Sequence, residues 1–160
     1  MPEKAFTVAE ANFLIPTLEG VLDSVQERMK RIQGATERLQ VLDLLWGAKI
    51  GSRDNPDYGE AQSHSAEILQ LMGEIEELVE REIEGRGLRF PQGGLEHGLI
   101  DFPTVWEGRR VYLCWKRGEP IIEAWHEVDG GFSGRRTLTA EQVREMGRGP
   151  ADASGSWHMP

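Results

Sequence analysis

Residues 99–128 read LIDFPTVWEGRRVYLCWKRGEPIIEAWHEV, a stretch rich in β-branched and aromatic side chains. Two short breaks, Glu107-Gly108 and Arg117-Gly118, divide it into three segments, and such dipeptides are typical of tight turns between antiparallel strands. The pattern therefore predicts a three-stranded antiparallel β-meander. Its strands are expected at Leu99–Trp106, Arg109–Lys116 and Pro120–Val128, with a short fourth strand before them at Leu88–Phe90.

If both breaks are two-residue turns, the register of the meander follows from counting residues. Asp101 then lies opposite Cys114, and Cys114 lies opposite Ile121. Because side chains alternate between the two faces of a strand, this register places His126 on the face opposite to Asp101 and Cys114. The face with His126 is the more apolar one, so we expect it to cover the helices, with His126 near Glu10.

Upstream of the sheet, apolar residues recur at steps of three and four over two long segments. Thr7-Val8-Ala9-Glu10 has the form of a capping box, which starts a first helix over residues 8–47. A cluster of Gly, Asn and Pro predicts a turn, and a second helix follows over residues 57–84. Two amphipathic helices with a short connection predict an antiparallel hairpin with a coiled-coil-like seam. Another capping box at Thr139 predicts a short C-terminal helix.

These elements together indicate an α+β protein: a long antiparallel helical hairpin, a three- or four-stranded antiparallel meander near its open end, and a short C-terminal helix. We expect the hairpin at residues 1–87 and the meander at 88–136, packed on the hairpin as one domain. Residues 137–160 are expected to hold the short helix and a flexible tail.

Composition excludes several classes of protein. The 160 residues carry a formal net charge of −9, which repels phosphate backbones, so we expect no binding of nucleic acid. No apolar run approaches the roughly 20 residues that span a bilayer, so we expect no membrane insertion. The one cysteine, Cys114, cannot form an internal disulfide, which favours a cytoplasmic location. Its neighbours predict a buried, unreactive side chain.

Several strings in this chain resemble the bacterial domain-of-unknown-function 2203 family. They are Phe6–Pro16, Gly98–Pro103, Val111–Trp115 with Gly118-Glu119, Trp125–Glu127 and Gly131–Arg136. The resemblance covers about residues 5–136 and leaves the last stretch outside it. It implies a small bacterial protein of the cytoplasm, and it implies no reaction and no ligand.

Histidine and carboxylate residues offer one candidate metal site. His126, with Asp101, Glu10 or Glu127, could bind a divalent transition metal such as zinc or iron, because imidazole and carboxylate groups are ordinary ligands of these ions. The ligands would come from scattered positions, since the chain has no His-x-His or Cys-x-x-Cys motif. The other interpretation, which the sequence favours, is a histidine at the edge of the core that hydrogen-bonds to a carboxylate or a carbonyl.

The segment from Gly131 to Arg136 is a candidate ligand loop. The glycines, Gly131 and Gly134, would let backbone N–H groups converge on an anion, and Arg135 and Arg136 could pair with a carboxylate or phosphate. The competing interpretation is a chain-reversing loop whose arginines pair with nearby acidic side chains.

Two functions follow from these features. The first is a non-enzymatic binding or assembly module that forms a homodimer through the helical hairpin and binds a small anionic ligand or a protein partner at the arginine loop. The homodimer is expected because a two-helix hairpin leaves half of its seam exposed, which a second hairpin would cover. The alternative is a metal-dependent enzyme of unknown reaction that uses His126 and nearby carboxylates.

Overall fold

A computed structural model of the chain describes residues 4–148 and shows an α+β fold. The helices are α1 (Val8–Trp46), α2 (Tyr58–Leu78), α3 (Gly94–His97) and α4 (Ala140–Glu145), and the strands are β1 (Leu99–Trp106), β2 (Arg109–Lys116), β3 (Ala124–Glu127) and β4 (Arg136–Thr137). The predicted fold class is confirmed. The predicted flexible tail falls largely on residues 149–160, outside the described part of the chain.

The first helix begins at the predicted capping box. The backbone N–H of Glu10 donates to the Thr7 hydroxyl at 3.1 Å, and the N–H of Thr7 donates to the Glu10 carboxylate at 2.9 Å. Two of the N–H groups that a helix start leaves without a partner are thereby satisfied. The helix then runs without a break past Pro16 to Trp46.

Ion pairs between α1 and α2 show that the two helices run antiparallel. Arg28 donates to Glu74 at 2.8 Å, Arg31 to Glu67 at 3.3 Å, and Arg38 to Glu60 through two of its nitrogens. As the residue number of the arginine on α1 rises, the number of its glutamate partner on α2 falls. This is the order expected of an antiparallel hairpin. The second helix ends in a π-helical turn at Val79–Ile83, so the predicted end at residue 84 is nearly met.

The sheet is a four-stranded antiparallel meander in the order β1-β2-β3-β4. Glu107 and Gly108 connect β1 to β2 with φ angles of 53° and 77°, as a tight hairpin turn requires. The fourth strand is β4, next to β3. The predicted strand at Leu88–Phe90 is reduced to a single bridge between Arg89 and Asp101.

The register of β3 differs from the prediction. Asp101 pairs with Cys114 as expected, but Cys114 pairs with Ala124 and not with Ile121. The connection from β2 to β3 spans residues 117–123 and is longer than a two-residue turn; within it the Glu119 side chain accepts the backbone N–H of Lys116 at 2.7 Å. A shift of three residues is odd, so it moves every β3 side chain to the other face.

The apolar face of the sheet contacts the segment that leads into α1. The rings of Phe6 and Phe102 meet edge to face at 5.6 Å, and the buried Thr104 hydroxyl donates to the Phe6 carbonyl at 2.7 Å. Alternation adds Leu113 and Trp115 to this face, both fully buried. Because of the changed register, His126 lies on the opposite face; its predicted place on the apolar face near Glu10 is wrong.

The described residues fall into two compact units. One contains the residues up to Gly20 and those from Arg81 onward, and therefore the whole sheet; the other is Val21–Glu80, most of the hairpin. The predicted domain boundaries at residues 87 and 136 stay a prediction. Among the described residues, no helix combines the length and the apolar content that crossing a bilayer demands.

Candidate metal centre

Three side chains from three neighbouring strands meet on the polar face of the sheet. Asp101 on β1 pairs directly with Cys114 on β2, and His126 on β3 lies two residues beyond Ala124, the partner of Cys114. Alternation therefore puts all three on one face. One ligand atom of each, a carboxylate oxygen, the sulfur and a ring nitrogen, lies within 4.8 Å of the others, and all three residues are fully buried.

Both ring nitrogens of His126 face oxygen atoms. Nε2 lies 2.9 Å from Oδ1 of Asp101, and Nδ1 lies 2.7 Å from the carbonyl oxygen of Glu127. A carbonyl only accepts, so Nδ1 carries a hydrogen. Burial lowers the pKa of His126, but hydrogen bonds to Asp101, Cys114 and the Glu127 carbonyl outweigh it and raise the pKa to about 10. Without a metal ion, His126 is therefore an imidazolium paired with Asp101.

The second carboxylate oxygen of Asp101 accepts a hydrogen bond from Arg89. Nε of Arg89 donates to Oδ2 of Asp101 at 3.1 Å, so the carboxylate is divided between a guanidinium and an imidazole. The Arg89 guanidinium lies over the Tyr112 ring at 3.7 Å, and Tyr112 in turn stacks on His126 with ring centroids 5.7 Å apart. These flat groups cover the cluster on one side.

The two other predicted ligands lie elsewhere. The carboxylate of Glu127 pairs with Arg109 at 2.6 and 3.0 Å, and only the backbone carbonyl of Glu127 contacts His126. This ion pair lowers the pKa of Glu127. Glu10 caps α1 and pairs with Lys4 at 3.0 Å. The structure thus brings together Asp101 and His126 of the four predicted residues, and adds Cys114.

A family model described as "Uncharacterized conserved protein (DUF2203)" matches residues 4–138. The chain belongs to this family. The match covers the whole sheet, the buried cluster and the arginine loop, so the DUF2203 resemblance predicted from the sequence is confirmed. No curated protein and no solved structure shows a significant match to the chain.

In this DUF2203 protein the arginine loop makes internal ion pairs. Arg135 donates to both carboxylate oxygens of Glu119, at 2.8 and 3.0 Å, and to the carbonyl of Cys114 at 3.0 Å. Arg136 is more exposed, lies 3.8 Å from the Glu127 carboxylate and stacks over Trp125. The two arginines line a cavity of about 210 Å³ with Glu119, Glu123, Ala124 and Thr137. Carboxylates of Glu119 and Glu123 therefore lie in the same cavity as the two arginines, and anion binding there stays a prediction.

The predicted glycines of that loop have separate roles. Gly131 has a φ of 60°, a conformation that glycine adopts without strain, and Gly134 ends a short 3-10 turn that begins at Phe132. A neighbouring glycine, Gly130, comes close to the cluster, because a Cβ there would lie 3.2 Å from the Cβ of His126. The backbone at Gly130 therefore lies close against the base of the His126 side chain.

Sequence reasoning missed Cys114 as a member of the cluster and Arg89 as its neighbour. The pairing of Asp101 with Cys114 was available from the β1–β2 turn, so the signal for a shared site existed. The error was the β3 register, which separated His126 from both. The strand predicted at Leu88–Phe90 indicated that Arg89 lies near the sheet, but no pattern fixed its partner, and the structure pairs it with Asp101 through a single bridge.

Proposed function

We propose that this DUF2203 protein binds one divalent transition-metal ion through Asp101, Cys114 and His126. The observation that supports the proposal is the approach of an oxygen, a sulfur and a nitrogen ligand atom to within 4.8 Å in a fully buried place. Proteins bind zinc through these three side-chain types. A thiolate and an imidazole together favour zinc or iron over magnesium or calcium, which take oxygen ligands.

The orientation of His126 supports the same role. Histidines that bind a metal through one ring nitrogen usually donate the other N–H to a carbonyl or carboxylate. Here Nδ1–H is held by the Glu127 carbonyl, which leaves Nε2 on the side of Asp101 and Cys114. Arg89 orients Asp101 in the same way through Oδ2.

The favoured interpretation of the sequence, a structural histidine, accounts for part of this arrangement. Both of its expected hydrogen bonds, to a carboxylate and to a carbonyl, are present. Cys114 is also buried, as the sequence predicted, but burial alone does not account for the approach of its sulfur to the ligand atoms of Asp101 and His126. A divalent ion that replaces the Nε2 proton and the thiol proton would leave the net charge of the buried cluster unchanged, so binding would add no uncompensated charge to the interior.

We propose ion binding as the function. Three protein ligands would leave a fourth position on zinc, but all three ligand residues are fully buried, so a substrate does not reach that position in this conformation. A catalytic metal keeps a coordination position open to a substrate. Among the described residues, the cavity at Phe6 and Phe13 and the cavity at Arg135 and Arg136 are lined by residues other than the three ligands. The metal-dependent enzyme of the sequence analysis would need the covering groups, Arg89 and the loop at Gly130, to move.

We also propose that the protein works in a reducing compartment such as the cytoplasm. A metal-bound Cys114 must remain a thiolate, and a reducing environment preserves it. The chain has no second cysteine to form an internal disulfide.

Metal content tests the proposal directly. We expect the protein, purified without an affinity tag or chelator and then loaded with zinc, to retain close to one zinc ion after dialysis. Loss of a second-shell partner already costs about 10–100-fold in metal affinity, so Cys114→Ala and His126→Gln should each weaken zinc binding by more than about 100-fold. Glu10→Gln and Glu127→Gln are matched controls and should bind zinc like the wild type.

Two results would contradict the proposal. The first is a wild-type protein that retains no zinc, iron or manganese. The second is a Cys114→Ala variant with unchanged zinc affinity. Because His126→Gln leaves Asp101 with less compensation and could unfold the sheet, Cys114→Ala is the decisive variant, and circular dichroism verifies its fold.

The hairpin supports a second, independent function, self-association. Large apolar side chains of both helices are exposed: Leu44 by 86%, Leu45 by 67% and Leu69 by 71%. The seam itself is filled, since Leu42 and Leu71 are buried, so these exposed residues do not close the hairpin. We propose that a second copy of the chain covers them, as in a homodimer of four helices.

Light scattering tests the dimer. We expect twice the chain mass at micromolar concentration, and a monomer for the double variant Leu44→Glu with Leu69→Glu. Val143→Glu also places a charge at an exposed apolar position, but on α4 in the other compact unit, so it is the matched control and should stay dimeric. A wild-type monomer would exclude this interface without affecting the metal proposal.

A further inference from the structure

Arg89 divides the two oxygens of Asp101 between different partners. Its Nε donates to Oδ2 at 3.1 Å, while Oδ1 faces Nε2 of His126 at 2.9 Å. Only Oδ1 therefore points to the place where the sulfur of Cys114 and the nitrogen of His126 also converge.

Several contacts fix the position of Arg89. Its backbone exchanges two hydrogen bonds with Asp101, N–H to carbonyl at 3.2 Å and carbonyl to N–H at 2.9 Å. Its guanidinium carbon lies over the buried ring of Tyr112, 3.7 Å from the ring centroid, and a terminal nitrogen lies 3.5 Å from the carbonyl oxygen of Val128. Backbone and side chain thus hold the guanidinium against Oδ2.

Coordination number depends on how a carboxylate binds. At this site zinc would take four ligands, of which one is an oxygen of Asp101. Manganese and other hard ions take more ligands, mostly oxygen atoms, so a second oxygen from the same carboxylate would strengthen their binding. A carboxylate that already gives one oxygen to a guanidinium can offer a metal ion only the other.

We infer that Arg89 sharpens the metal specificity that Cys114 and His126 already favour: by holding Oδ2 of Asp101 it keeps the carboxylate monodentate and favours zinc over ions of higher coordination number. The inference rests on the proposed metal site. Arg89 acts through Asp101 and is therefore a positioning residue, not a ligand.

The ratio of two affinities tests the inference. Arg89→Met keeps a long side chain on Tyr112 but frees Oδ2. Zinc and manganese, each titrated into the full-length metal-free protein, carry the same charge, so the lost charge of Arg89 affects both alike and cancels in the ratio. We expect the preference for zinc over manganese to fall by at least about 10-fold, the lower end of the effect of a second-shell partner on metal affinity.

Arg109→Met is the control. It removes an equal charge from the sheet, but Arg109 pairs with Glu107 and Glu127 and leaves Asp101 in place. We expect this variant to keep the wild-type ratio. If Arg89→Met fails to fold, Arg89→Leu serves in its place, because it also removes the donor to Oδ2; its ratio should fall in the same direction.

The outcomes separate the two proposals. If Arg89→Met changes both affinities by the same factor, Arg89 has only a structural or electrostatic role and the inference is overturned, while the metal site stands. If the wild type binds neither ion, the metal site itself fails and the inference fails with it. A ratio that falls in Arg89→Met and not in Arg109→Met supports both.

Discussion

His126 is the residue whose surroundings the structure defines most closely. Its ring lies between two oxygen acceptors and against Tyr112, and it is fully buried. A buried imidazolium is costly unless each N–H finds an acceptor and a carboxylate balances the charge. Asp101 and the Glu127 carbonyl meet both conditions, so the charged form persists in the metal-free protein.

This environment predicts how stability changes with pH. The folded pKa of His126 is about 10, above its usual value of 6.5. A raised pKa stabilises the fold fully below about pH 6.5, and the contribution is lost as the pH rises through 10. In EDTA, the wild type should therefore lose more unfolding free energy between pH 7 and 10 than His126→Gln does.

Urea unfolding at several pH values measures this difference, and groups common to both proteins cancel in the comparison. Parallel loss of stability in wild type and variant would show that His126 is neutral in the folded state. In that case, Nε2 would have to accept a hydrogen bond and Asp101 or Cys114 would have to donate it.

At the scale of elements, the two arginines of the arginine loop carry the same charge but differ in exposure, and therefore in their contribution to stability. Arg135 and Arg136 are neighbours, but the side chain of Arg135 is 18% exposed and that of Arg136 is 60% exposed. Arg135 ties the loop to Glu119 and to the Cys114 carbonyl, while Arg136 has a longer ion pair in solvent. The first contact orders the loop, and the second adds little.

A matched pair of variants tests this assignment. Arg135→Ala should destabilise the protein by about 2 kcal/mol, because it removes charged hydrogen bonds and leaves Glu119 with a partly buried carboxylate. Arg136→Ala should stay within about 0.5 kcal/mol of the wild type, as exposed substitutions do. Thermal unfolding monitored by circular dichroism gives both values. An equal effect of the two substitutions would contradict the different roles.

Much of the secondary structure could be predicted, because local rules govern it. The capping box at Thr7 and the turn at Glu107-Gly108 set the start of α1 and the pairing of β1 with β2. The β2–β3 connection depends on a distant residue as well as on local contacts. The Trp115 indole N–H donates to the Glu119 carbonyl, and the Ile122 N–H donates to the Asn12 side chain on α1.

The prediction of the candidate site failed because of the β2–β3 connection. A register error of three residues moved His126 to the wrong face, although Asp101 and Cys114 were paired correctly. Contacts more than 100 residues apart in sequence, such as Ile122 with Asn12, cannot be read from a pattern with a period of two residues. A site whose residues come from three strands can therefore be predicted only when the register of both strand pairs is predicted correctly.

At the scale of the whole molecule, the site and the proposed dimer surface belong to different compact units. The cluster residues all lie in the unit that contains the sheet, and the exposed leucines lie in the hairpin unit, Val21–Glu80. Each unit has its own contacts, so a ligand that binds one unit stabilises that unit first.

Hydrogen exchange tests this separation. Zinc should slow amide exchange in the sheet unit, above all in β1 to β3, because the ion ties three strands together and opens only when they separate. Amides in the middle of the hairpin, around Leu71 on α2, should exchange at the same rate with and without zinc. Cys114→Ala, which is expected to bind zinc weakly, is the control for effects of the ion unrelated to the site. Equal protection of both units would mean that they open together, so that zinc binding would also stabilise the hairpin and its dimer surface. Protection in the sheet unit alone would make metal binding and self-association separate properties of one chain.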